Sequence, residues 1–135
     1  MNVQGRHMAD EAGGTAAGNI SVIGKTGIVI DLIDAVTGTD TDVVLDADFE
    51  ILDVICIKLA ANGDGDDKLQ VKDGSDNAIT DDMVTGGLGA AGRIKRAANI
   101  IPTYGSLSKG ATLRFTQKKN AGNNAVRVVV IGVKS

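Results

Sequence analysis

Tryptophan is absent, and the 135-residue chain holds one tyrosine, two phenylalanines, one histidine, one cysteine and one proline. Each scarcity closes off a kind of chemistry. Small-molecule sites are usually walled by aromatic side chains around a few converging polar groups. Phe49, Tyr104 and Phe115 are too few to wall one. They are also too few to stack successive bases of a single-stranded nucleic acid. His7 stands in an N-terminal stretch with no second histidine and no nearby cysteine, which leaves a metal site without its partners. Ser21, Ser75, Ser106 and Ser108 therefore lack the base that would activate a serine nucleophile. Cys56 alone forms no intrachain disulfide. Its place in the apolar run Val54–Leu59 reads as a buried, inert thiol. No apolar run approaches the ~18 residues of a membrane-spanning helix. The N-terminus lacks the basic and apolar regions of a secretory leader, so the chain is expected to fold in a reducing cytosol.

What is present is β-branched. The chain carries 14 valines and 13 isoleucines against 8 leucines, with 10 threonines and 18 glycines. Branching at Cβ stiffens χ1 and suits a pleated surface better than a helix. From Ile20 onward short strand signals recur every ~8–12 residues, the spacing of a sandwich or barrel. Strands are expected over Ile20–Gly24, Ile28–Ile33, Val43–Leu45, Phe49–Leu59, Leu69–Val71, Thr112–Gln117 and Ala125–Val133, with a strand or edge segment within Arg93–Ile101. Phe49, Ile51 and Asp53 alternate with Glu50 and Leu52 before the run becomes apolar on both parities, the pattern of a central strand. Thr37–Thr41 reads as a loop, Asp81–Val84 as one helical turn, and Lys118–Asn124 as a hairpin loop. No amphipathic helix competes. The expected fold is all-β: one antiparallel, jelly-roll-like β-sandwich of about eight strands over residues 20–135. Residues 1–19 lack large apolar residues and periodicity, and read as an extended N-terminal arm.

The net charge of −3 hides a segregation. Residues 1–89 contain all 17 acids and 5 bases, a net −12, whereas residues 90–135 contain 9 bases and no acid, a net +9. Two readings stay open. Late strands can lie beside early strands and neutralise them within one domain, or the basic region of one copy can meet an acidic face on a neighbour. DNA binding fits poorly, because the chain as a whole is acidic.

Several motifs resemble sites and fail on spacing. Asn62–Asp67 (NGDGDD) resembles a calcium loop. An EF-hand register from Asn62 puts Asp67 where glycine is needed and Asp73 where a bidentate glutamate is needed. It is read as a turn whose Asp and Asn residues serve backbone geometry. Thr85–Gly89 (TGGLG) lacks the lysine and spacing of a phosphate loop. Carboxylate pairs such as Asp46 and Asp48, or Asp81 and Asp82, fall among many others with nothing to desolvate one of them. No catalytic residue, metal ligand or cofactor is assigned, and the chain is read as a non-enzyme.

The segments Phe49–Val54 (FEILDV), Leu69–Gly74 (LQVKDG) with Ala78–Asp81 (AITD), and Ala111–Thr116 (ATLRFT) before a terminal Val-rich strand carry a resemblance. The stretch from about Asp42 to the C-terminus resembles small virion proteins of tailed bacteriophages, the capsid cement or decoration proteins encoded near the major capsid protein. The resemblance implies a structural protein on the outside of a phage capsid, made in the host cytoplasm, which bridges neighbouring major capsid proteins. The implied partners are that protein and other copies of this chain, with no nucleic acid and no membrane. The partner-binding candidates are Arg6 and His7 in the arm, and the basic residues Arg93, Lys95, Arg96, Lys118 and Lys119. The alternative is a head-fibre, tail or baseplate subunit, or a receptor-binding module. A nucleotide-handling jelly-roll enzyme comes third, with no phosphate contacts to support it.

Overall fold

The computed structural model describes residues 19–23, 27–60, 67–85, 91–119 and 123–134, with side chains from residue 27 onward. Among them are the strands β1 (Asn19–Ile23), β2 (Gly27–Leu32), β3 (Thr39–Val44), β4 (Phe49–Lys58), β5 (Lys68–Asp73), β6 (Met83–Val84) and β7 (Ile94–Arg96). A single helical turn, α1 (Pro102–Gly105), precedes β8 (Ser106–Leu107), β9 (Thr112–Lys118) and β10 (Val126–Lys134).

Five antiparallel ladders nest in four levels, one inside another. β2 pairs with β10, β3 with β9, β4 with β7 and β8, and β5 with β6. Successive ladders fall alternately in two sheets, which is the winding of a jelly roll. β10 then zips onto β4, and β9 onto β5. The first sheet runs β1-β2-β10-β4-β7, with β8 also on β4, and the second runs β3-β9-β5-β6. The expected all-β sandwich is therefore what forms, with two antiparallel sheets packed together. Strict alternation builds its core. Ile28, Ile30, Leu32, Val54, Cys56, Val126, Val128 and Val130 from the first sheet meet Val43, Leu69, Val71, Met83, Leu113 and Phe115 from the second. All of these are buried.

Local expectations are corrected in several places. Ten strands are described in place of about eight, because β6 and β8 span only two residues each, too few to show a period, while β7 falls within the expected segment Arg93–Ile101. Thr39–Thr41 belongs to β3 rather than to a loop: Thr41 faces the core opposite Phe115, while Asp40 and Asp42 face water. Asp81–Val84 is not helical. Its end forms β6, and the helical turn lies at Pro102, which takes the first turn where a missing N–H costs nothing. The hairpin expected around Lys118–Asn124 does not form: Lys118 ends β9, and β9 and β10 lie in different sheets. The arm expected over residues 1–19, with Arg6 and His7, lies outside the described residues except for Asn19, which opens β1.

One bulge decides which way β4 faces. Ile131 is opposite Asp53 and Gly132 is opposite Ile51, so Leu52 has no partner. The extra residue turns Asp53 to the outer face, although its parity matched Phe49 and Ile51. Gly132 is required at this place. A Cβ there would overlap the Glu50 carbonyl oxygen and stand 2.8 Å from the Phe49 ring.

Candidate interaction surfaces

The charge split is largely resolved within the domain. Nested ladders put each late strand beside an early one, so five of the nine late bases meet early acids. Arg127 Nε lies 2.6 Å from Asp31, Arg96 Nε 2.9 Å from Asp53, Lys119 Nζ 2.9 Å from Asp34 and Lys134 Nζ 3.2 Å from Asp46. Arg114 binds Asp42 and Asp76, each at 2.9 Å, with Asp40 at 3.7 Å. The paired carboxylates hold the Arg114 and Arg127 guanidiniums above their ordinary pKa. The Lys119 ammonium, with the Asn124 N–H, holds the Asp34 carboxyl below the usual carboxylate range. Neutralisation within the domain thus accounts for most of the segregation.

The candidate residues separate on this basis. Arg96 and Lys119 are engaged inside the domain, whereas Arg93, Lys95 and Lys118 have no ion pair among the described residues. The structure brings Arg93, Lys118 and Lys119 to one end of the sandwich, where β4 finishes and β5 begins. Lys95 and Arg96 alternate along the edge strand β7. Two cations that sequence reasoning passed over join Lys118. Lys68 is directly opposite it and Lys72 is opposite Arg114, all on the outer face of the second sheet. The alternation of Lys68 and Lys72 with Leu69 and Val71 carried that signal.

The same end holds exposed apolar groups, Ile33 at 58% and Val36 at 70%. Beneath them lies Lys58, with no exposed surface. Its Nζ donates to the Asn123 carbonyl. Burial pushes the Lys58 ammonium below the usual lysine pKa, against the attraction of Asp67 and Asp34. Gln117 Nε2 donates to the Ile33 carbonyl at 2.9 Å, and the Asn124 side chain bonds Ala35 through both its atoms, each at 2.9 Å. These bonds brace the connections 33–38 and 123–125 against each other. The parity of Val54, Cys56 and Lys58 was the available signal that Lys58 points inward.

Burial pushes the Cys56 thiol up to about 12, so it stays protonated, and its Sγ lies 4.0 Å from the Met83 sulfur. A cavity of 270 Å³ opens at the opposite end, lined by Asp48, Phe49, Glu50, Ser106, Leu107 and Ser108. Asp48 accepts the Lys109 N–H at 2.8 Å, while Asp46 is taken by Lys134. The cavity is smaller than the ~300–1,000 Å³ of ordinary ligand pockets. Of the calcium-like loop, Asn62–Asp66 lie outside the described residues, as do Gly86–Gly89. Asp67 is buried, and the Thr85 N–H donates to its carbonyl at 2.9 Å. Among the described residues no group of three His, Cys, Asp or Glu side chains could hold a metal ion. No helix of the described chain is long and apolar enough to cross a membrane.

The two outer sheet faces differ in kind. The second presents Asp40, Asp42, Gln70, Thr112, Arg114 and Thr116, as expected of a sheet facing water. The first presents Val29, Ile55, Ile57, Val129 and Ile131, all half-buried, with Ile94 60% exposed at its edge. No protein-family model matches the chain, and no curated protein matches it.

Proposed function

We propose that this chain is a structural virion protein. In this reading it binds the outside of a phage capsid and bridges neighbouring major capsid proteins. The observation that carries the reading is the braced end of the sandwich. Exposed Ile33 and Val36 stand at the same end as Arg93 and Lys118, cations with no ion pair among the described residues. Apolar anchors at an end that also carries cations suit docking to an acidic protein surface. A jelly roll braced by buried polar bonds keeps that end rigid, so little ordering entropy opposes docking. Repetition over a symmetric shell makes many such weak contacts act together. The sequence resemblance to cement proteins supports the same role, with residues 1–18 supplying an arm that wraps a neighbour.

Binding of the full chain to purified shells tests this. Arg93→Glu with Lys118→Glu should weaken shell binding about tenfold or more and flatten its salt dependence. Deleting residues 1–18 should leave a folded domain that binds far less well. Binding unchanged by both alterations would remove this end and the arm from the mechanism.

A further inference from the structure

Across the middle of the first sheet, Val29, Val129 and Ile55 stand side by side on β2, β10 and β4. Ile57 and Ile94 flank them on one side and Ile131 on the other. Leu52 and Val133, 56% and 52% exposed, continue the patch past the bulge. The second sheet provides an internal comparison, since its outer face is polar at nearly every position. One face of the domain is written for water and the other is not.

Charge narrows what suits it. The four charges within these rows are already paired on the face, Asp31 with Arg127 at 2.6 Å and Asp53 with Arg96 at 2.9 Å. Glu50 lies at the margin, where water remains. The patch is thus neutral, offers nothing to a strongly charged partner, and brings no like charges together when it meets itself. The second sheet, with Lys68, Lys72 and Lys118 beside Asp40, Asp42 and Arg114, is charged and hydrated and offers no such apolar face. Residues 1–18 are a poor cover, because Met1, Val3 and Met8 are their only large apolar residues. A face of β-branched aliphatics packs well on another of the same make, about 10 Å away.

We propose that the outer face of the first sheet is where a second copy of this chain docks. This surface is distinct from the end assigned to shell binding and does not depend on that assignment. Sedimentation velocity of the full chain, with no shell present, tests it. The wild type should associate reversibly below a concentration on the order of 100 µM. Val129→Lys, an outward-facing change at the patch centre, should weaken association at least about tenfold. Val129→Thr, of nearly the same shape, should weaken it less. Circular dichroism should be unchanged in both variants, and Lys118→Glu should leave association intact. A wild type that stays monomeric overturns the proposal, and so does association indifferent to both Val129 variants. A monomer whose patch binds a hydrophobic dye only after residues 1–18 are deleted overturns it in favour of the chain's own N-terminal segment. A monomer that binds shells normally refutes this inference alone, whereas an associating chain that ignores shells refutes only the shell reading.

Discussion

Arg114 grips Asp42 with two nitrogens, Nε 2.9 Å from Oδ1 and Nη2 3.0 Å from Oδ2, across 72 residues of sequence. The remaining Nη1 reaches Asp76 Oδ1 at 2.9 Å. Asp76 adopts a left-handed φ of 64°, in a turn held by Asp73 Oδ1 accepting the N–H groups of Ser75 and Asn77. One guanidinium therefore ties β3 and β9 to the turn after β5. Arg114→Ala and Asp42→Ala should each lower the melting temperature. The double variant should fall little further than the larger single change, because the two remove one interaction. Raising salt to about 1 M should shrink the effect. Thermal melts of the four proteins measure this coupling.

Gly132 sits against the Glu50 carbonyl and the Phe49 ring at the bulge. Gly132→Ala forces β10 away from β4 and should destabilise the fold by about 1–3 kcal/mol. A shift in the urea midpoint at constant m-value would report it.

The two faces of the first sheet should respond differently to the same truncation. Ile30 is fully buried, and Ile30→Ala should cost about 2–5 kcal/mol. Ile57 is on the outer face, and Ile57→Ala should cost under about 1 kcal/mol in dilute, unassociated protein. Equilibrium unfolding of both variants compares them directly.

Stability should fall in acid. The Lys119 ammonium holds the Asp34 carboxyl low, and hydrogen bonds from Asn77 and Ser75 hold Asp73 low despite its partial burial. Both groups take up a proton more readily in the unfolded chain. Their stabilisation is complete above the ordinary aspartate pKa of about 3.9 and is lost as pH drops through the lower folded values. Asp34→Asn and Asp73→Asn should each flatten the acid limb of a stability–pH curve measured by urea unfolding.

Much of the sandwich was legible from alternation alone. Thr112–Gln117 and Leu69–Val71 showed a period of two, and those residues occupy β9 and β5. Pairing was not legible, because alternation states which way a side chain points and not which strand lies next to it. The charge split left two readings, and only the nesting of β2 with β10 and β3 with β9 discloses that five of the nine late bases meet acids within the domain. Asp53 was misdirected because a bulge leaves no mark in periodicity. The apolar outer face was visible as the double-parity run Val54–Ile57, correctly taken as a central strand. The sequence could not disclose that, among the described residues, the second sheet packs on only one side of it.

Cryo-electron microscopy of particles from the native source tests the central claim, the proposed place on a phage shell, most directly. Density matching this jelly roll should recur at every equivalent site on the outer shell, with Ile33, Val36, Arg93 and Lys118 turned toward the major capsid protein. Shells bare of the protein, or a few copies confined to the tail or one vertex, would contradict the account.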